Sequence, residues 1–178
     1  MIADCRPVLP HWGASRSEAE GLQIADYGDQ SAIRNQKSEI HIVAFCCHYC
    51  AYAAADLAGS LRLQYPPNVN VVKLPCTGKL DVLLVLHALE HGADGVMVAG
   101  CLEGDCHYRS GNLNARRRVN YVKCLLQEIG FEPERVRMFN MSSAMARTWA
   151  EAVTQMDDTV RRLGPNPLRR RTGGLVDK

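Results

Sequence analysis

Six of the eight cysteines in this chain fall into three short segments whose composition suits metal ligation. They read Cys46-Cys47-His48-Tyr49-Cys50, then Pro75-Cys76-Thr77-Gly78, then Gly100-Cys101-Leu102-Glu103-Gly104-Asp105-Cys106-His107-Tyr108. The Cys47-x-x-Cys50 spacing lets two thiolates hold one metal centre, as in zinc and iron–sulfur sites. It also suits a thioredoxin-like dithiol, but a dithiol gives no reason for Cys76, Cys101 and Cys106. Glycines in the third segment permit the tight turns that wrap a loop around a cluster and aim amide N–H groups at its sulfurs. His48 and His107 flank the thiols, and a Rieske-type centre would need two histidines on one iron. With five well-placed cysteines available, hydrogen bonding near the cluster or to a partner is the expected role of these rings. Cys5 and Cys124 stand apart from the three segments, and Cys124, off the apolar face of its helix, is read as a bystander.

The remaining composition narrows what those thiols serve. Of 178 residues, 47% are hydrophobic and 22% charged, with 21 basic against 19 acidic side chains. That apolar share builds a buried core and excludes general disorder. A formal net charge of +2 lacks the basic excess of a dedicated nucleic-acid binder. No apolar run nears the roughly 20 residues that cross a bilayer. The first thirty residues hold no apolar signal-peptide core, so a soluble, cytoplasmic chain without a membrane span is expected. That compartment keeps thiols reduced, and cysteine clusters there indicate metal or redox chemistry. No Ser-His-Asp pattern, P-loop or GxGxxG fingerprint occurs, so the expectation is a non-catalytic carrier with no organic substrate of its own.

Elements of alternating type must hold these segments in place. Residues 39–45 (EIHIVAF), 69–74 (VNVVKL), 95–100 (GVMVAG) and 135–141 (RVRMFNM) are short, apolar runs that read as strands. A helical pattern follows each one. Residues 51–63 are rich in Ala and Leu; 79–91 carry Leu80, Leu83, Leu84 and His87 on one face; 112–129 carry Val122, Leu125, Leu126 and Ile129. The fourth helix is expected to open near Ser142 or Ser143, which suit N-caps, with Met145, Trp149, Met156, Val160 and Leu163 as its core stripe. Near-continuous apolar strands alternating with helices predict an α/β domain over 38–165. Its core is a four-stranded parallel sheet built from four strand-helix units, with helices on both faces. Residues 1–37 are expected to form a polar extension, flexible or wrapped on a partner, and 166–178 a basic tail. The run Arg116-Arg117-Arg118 reads as a solvated helix face, with steering of an acidic partner as its other use.

In an open parallel sheet, ligands bind beyond the carboxyl ends of the strands. Cys46 and Cys47 follow the first expected strand, Cys76 comes two residues after the second, and Cys101 follows the third. Three successive strand ends thus carry thiols to one edge of the sheet. Cys47, Cys76 and Cys101 are the positions that the sheet holds most rigidly. The fourth ligand comes either from Cys50, where a helix N-terminus favours a thiolate, or from Cys106 in the glycine loop. We favour Cys50, keep Cys106 as a neighbouring thiol or alternative ligand, and give Cys46 no ligand role. The competing readings are a structural zinc module and a thiol–disulfide oxidoreductase using Cys47 and Cys50.

The segments 45–59 (FCCHYCAYAAADLAG), 74–81 (LPCTGKLD) and 92–108 (GADGVMVAGCLEGDCHY) resemble the delta subunit of methyl-viologen-reducing hydrogenase. Gly111-Asn112, Ala115-Arg116, Ser142-Ser143-Ala144 and Leu163-Gly164-Pro165 fit its remainder, so the resemblance spans about residues 39–167. It implies an iron–sulfur subunit holding one [2Fe–2S] cluster, with Cys47, Cys50, Cys76, Cys101 and Cys106 as the matching cysteines. It further implies single-electron transfer from a hydrogenase or other electron-donor subunit to a heterodisulfide-reductase-like flavoprotein, or the reverse. The setting it implies is an anaerobic complex that bifurcates or confurcates electrons. Cys46, the long polar extension and the basic tail depart from the pattern.

Overall fold

A computed structural model describes residues 40–169. The expected extension over 1–37, residues 170–178 of the expected tail, and Cys5 lie outside the described residues. Strand β1 (Ile42–Cys47) alternates, with Ile42, Ala44 and Cys46 joining a core on one face and Phe45 a core on the other. Strand β3 (Gly95–Gly100) sends Met97 and Ala99 to the first face and Val96 and Val98 to the second. This is the period of two that a pleated strand imposes. Strands β2 (Val69–Leu74) and β4 (Val136–Asn140) are the edges of an all-parallel sheet ordered β2-β1-β3-β4. Helices α1 (Ala53–Ser60) and α4 (Ala146–Leu163) cover the first face; α2 (Val82–Glu90) and α3 (Gly111–Glu128) cover the second. The expected α/β architecture is the one that forms.

The strand order is what positions the site. From β1 the chain passes to β2 on one side, then returns to place β3 on the other. The direction of winding therefore reverses between β1 and β3, which opens a crevice at their carboxyl ends. Cys47 is the last residue of β1, and Cys101 directly follows β3.

Several helix faces differ from the sequence expectation. Helix α2 buries Val85 and Leu89 and leaves Leu83, Leu84 and His87 exposed. Its run VLLVL is apolar all round, so two stripes of helical period are equally available and only the sheet selects one. Leu80 is fully buried but precedes the helix, which Asp81 caps by accepting from Leu83 N–H at 3.2 Å. Helix α3 buries Ala115, Val119, Val122 and Leu126, while Ile129 is 73% exposed. Helix α4 begins at Ala146, and Ser142 and Ser143 lie in the turn before it without capping it.

One buried cation ties the far end of the sheet together. Arg135 is fully buried and donates from Nη1 to the carbonyls of Asp94 (3.0 Å) and Gly164 (2.9 Å), and from Nε to Glu132 (2.9 Å). The turn before β3, the start of β4 and the end of α4 thereby share one donor. Replacing it with methionine fills the space but leaves those carbonyls unpaired, at about 1–3 kcal/mol for each buried orphan. Arg135→Met is expected to lower unfolding stability by about 3 kcal/mol, read as a lower urea midpoint by circular dichroism. An unchanged midpoint would show that the pairing contributes nothing net. The guanidinium holds the Glu132 carboxyl below its usual value against a smaller opposing effect of burial. The folded value is the lower one, so this contribution is present above the carboxylate range and is lost as the pH falls through it.

Candidate metal centre

The chain leaves β1 through a π-helical turn, His48–Tyr52, before α1 starts at Ala53. Such turns hold an extra residue and recur at functional sites. Here the turn buries Cys50 and Ala51 and leaves His48, Tyr49 and Tyr52 exposed. Cys50 therefore precedes α1 instead of lying on its first α-turn. Cys47 takes the capping position, and the N–H groups of Tyr49 and Cys50 favour its thiolate.

Three sulfurs converge at the switch point. Those of Cys47, Cys50 and Cys101 all lie within 4.8 Å of one another, with Cys47 and Cys101 3.7 Å apart, and all three residues are buried. The Cys50 thiol stabilises a negative Cys47 most strongly; burial opposes this, and the nearby N–H groups and the Cys101 thiol add to it, so Cys47 is pulled down to about 5. Cys50 is held far above the ordinary thiol range, because it donates to Cys47 and is desolvated. Cys101 is raised, chiefly by burial. The packing of these three sulfurs thus favours negative charge on Cys47 over its two neighbours. Cys46 points into the core, and burial followed by the charge on Cys47 pushes it up to about 12. Its sulfur lies 3.6 Å from the carbonyl of Ala44, outside the group that the other three form.

Cys76 and Cys106 stand together at the N-terminus of α3, over Gly111. A β-carbon built on Gly111 would collide with the sulfur of Cys76 and lie 3.2 Å from that of Cys106. Cys76 caps a short 3₁₀ turn, Thr77–Lys79, with its sulfur accepting from Gly78 N–H at 3.3 Å. Burial is the largest influence on both thiols. It leaves Cys76 raised. At Cys106 it is outweighed by the N–H groups of Asn112, Tyr108 and Gly111 and by the Cys76 thiol, so Cys106 is lowered. All five cysteines expected at the site therefore reach one edge of the sheet, three at the switch point and two at the tip of α3.

Residues that spacing did not reveal hold this edge in shape. Asn112 donates to the carbonyls of Cys101 (3.2 Å) and Leu102 (2.8 Å), and Asn140, at the end of β4, donates to the Cys101 carbonyl at 2.5 Å. Two asparagines from different elements thus fix the backbone of one cysteine. Arg118, read from sequence as part of a solvated run, donates to the carbonyls of Gly78 (2.5 Å) and Leu80 (2.8 Å). It fastens the Cys76 turn to α3. Arg116 pairs with Glu103 in the glycine loop at 2.7 Å, and Arg117 is exposed. Only the arginine one turn from Ala115 faces the neighbouring turn, a distinction that a run of three identical residues hides.

The histidines do not join the sulfurs. His107 stacks on Tyr49 at 4.2 Å between ring centroids, His48 meets Tyr49 edge-on at 5.0 Å, and Tyr108 completes an exposed aromatic cluster. Cys124 is half-buried on α3, away from the site.

An open parallel α/β domain that gathers five buried, unbridged cysteines at its carboxyl edge has the donor set of a thiolate metal site. The chain belongs to the family described as methyl-viologen-reducing hydrogenase, delta subunit, which it matches over residues 42–164. It is 51% identical over 128 residues to an iron–sulfur subunit of the F420-non-reducing hydrogenase vhu of Methanocaldococcus jannaschii, covering 72% of this chain and 96% of that protein. It is 47% identical over 136 residues to an iron–sulfur subunit of the F420-non-reducing hydrogenase of Archaeoglobus profundus, covering 76% and 99%. It is also 40% identical over 124 residues to one subunit of the ferredoxin:CoB-CoM heterodisulfide reductase of Methanosarcina mazei, covering 70% of this chain but 16% of that much longer protein. Among the described residues, no helix is long and apolar enough to cross a membrane.

Proposed function

We propose that this chain is an electron-transfer subunit carrying one [2Fe–2S] cluster, held by Cys47, Cys50, Cys76 and Cys101, with Cys106 as the alternative fourth ligand. The observation that carries the reading is the convergence of five buried, unbridged thiols from separate segments on one edge. Thiols packed this closely repel one another once ionised, and bound iron relieves that repulsion. The hydroxyl of Thr77, buried against Gly100 at the end of β3, has no partner among the described residues. A thiolate-held iron–sulfur cluster supplies one-electron transfer, at a potential set by net charge, N–H donors and solvent exposure. This chain's own contribution is to aim the N–H of Gly78 at Cys76, to fix Cys101 through Asn112 and Asn140, and to exclude water.

The names of the relatives support this pair of partners. One set consists of hydrogenase iron–sulfur subunits, and in another relative the matching stretch is part of a heterodisulfide reductase. We read the donor as a hydrogenase or other dehydrogenase module and the acceptor as a heterodisulfide-reductase-like flavoprotein, within an anaerobic bifurcating or confurcating complex. We read the exposed cluster of His48, Tyr49, His107 and Tyr108, beside Cys47, Cys50 and Cys106 in sequence, as the surface on which a partner docks.

Anaerobic purification tests this reading. Iron and acid-labile sulfide are expected at about two each per chain, with a visible spectrum bleached by dithionite and a paramagnetic signal in the reduced state. A colourless protein holding zinc would turn the site into a structural staple. A metal-free protein that cycles with dithiothreitol would make it a dithiol.

A further inference from the structure

We propose that the last turn of α2 is a second metal site, for a borderline divalent cation such as Zn²⁺, with His87 and His91 as its protein ligands. It is separate from the cysteines. The six residues of β3 alone place about 20 Å of strand between the turn after α2 and the sulfur edge.

The two histidines are four residues apart, at the end and cap of one helix. That spacing stacks side chains on one face, and it is the spacing at which zinc-binding helices present paired imidazoles. Both rings are exposed, with centroids 6.1 Å apart. Between them Leu89 turns into the core, so His87, Glu90 and His91 share the outer face, each able to bring one ligand atom within 4.8 Å of the others.

The tautomers distinguish this pair from ordinary surface histidines. Nδ1 of His91 lies 2.8 Å from the carbonyl oxygen of His87, which can only accept, so that nitrogen carries the proton. Nδ1 of His87 lies 3.1 Å from Oε2 of Glu90, again an acceptor, and is protonated for the same reason. In its neutral form each ring then carries its lone pair on Nε2. A carbonyl or carboxylate holding the opposite ring nitrogen is the arrangement that orients metal-bound histidines. Glu90 also places a negative charge beside the incoming cation. Paired imidazoles with a carboxylate suit Zn²⁺, Ni²⁺ or Cu²⁺ better than Mg²⁺ or Ca²⁺. Two protein nitrogens leave further positions open to water or to a side chain from another molecule.

The test is a calorimetric Zn²⁺ titration of the full chain beside the double variant His87→Gln/His91→Gln, with the cysteine site in the same state in both. The wild type is expected to take up one equivalent more. Both side chains are exposed, so matching circular dichroism spectra are expected to show the fold intact. Because Zn²⁺ also binds thiolates, the ¹⁵N resonances of the two Nε2 atoms report the site directly and are expected to shift on addition. Glu90→Gln keeps an acceptor for His87 and is expected to retain the extra equivalent at about tenfold weaker affinity. Equal uptake by wild type and double variant, unshifted Nε2 resonances, or complete loss in Glu90→Gln overturns the proposal. None of these outcomes depends on what the cysteines hold.

Discussion

Serine at Cys47 or Cys101 is expected to strip the protein of its iron, while serine at Cys46 leaves the iron content at the wild-type level. All three residues are buried at the same end of the sheet, so burial alone does not separate them. Environment does. The sulfurs of Cys47 and Cys101 are 3.7 Å apart and face Cys50, whereas Cys46 packs into the core with its sulfur 3.6 Å from the carbonyl of Ala44. A hydroxyl at 47 or 101 is a harder, less ionisable ligand than thiolate, and a neighbour that loses its partner must hold iron with three sulfurs. The residual iron in these two variants is expected to be a small fraction of wild type, measured colorimetrically together with the visible spectrum. Cys50→Ser and Cys76→Ser are expected to follow them, and Cys106→Ser to keep a cluster with an altered spectrum. Loss of iron in Cys46→Ser with retention in Cys47→Ser would overturn the ligand assignment. A full cluster in Cys76→Ser or Cys101→Ser would overturn the shared edge itself.

Gly111→Ala is expected to empty the site nearly as completely, without touching a ligand. Gly111 opens α3 and its backbone is not in the left-handed region, so the helix itself does not oppose alanine. The added β-carbon would nonetheless collide with the sulfur of Cys76, with the sulfur of Cys106 next at 3.2 Å. What yields is the end of a short side chain, so the sulfur swings away and the fold stays. The cost to global stability is held to the overpacking range of about 1–3 kcal/mol, while iron content falls several-fold. Gly59→Ala is the matched control, because a β-carbon there meets nothing within 4 Å, and iron is expected to stay at the wild-type level. Full iron and an unchanged spectrum in Gly111→Ala would show that Cys76 is not placed by this contact.

Much of the fold was legible in the sequence because its strands are short and strongly patterned. Val69–Leu74 and Gly95–Gly100 are bounded as the residues suggested, since a Pro-Pro-Asn turn and flanking glycines leave little freedom at their ends. The faces of α2 and α3 were not legible. Leu83 and Leu84 are as apolar as Val85 and Leu89, and a helix with two acceptable stripes takes whichever one the sheet offers. The start of α4 was missed because Ser142 and Ser143 are good caps in isolation, but the turn after β4 carries the chain past them.

The site divides along the same line. Sequence alone determined that thiols would collect at the carboxyl ends of the strands, because residue order fixes which end of each parallel strand a cysteine follows. It could not determine that Cys47 and Cys101 would be neighbours. That depends on the strand order β2-β1-β3-β4, in which β3 lies directly beside β1; had β2 lain between them, their sulfurs would be about two strand spacings apart, roughly 10 Å. Nor could it determine that Asn112, Asn140 and Arg118 would hold the cysteine backbones. Each acts over at least ten residues of sequence through a hydrogen bond to a carbonyl, a group every residue carries, so no residue pattern marks the acceptor. Which thiols are present was written in the chain. Which of them touch was decided when the sheet was wound.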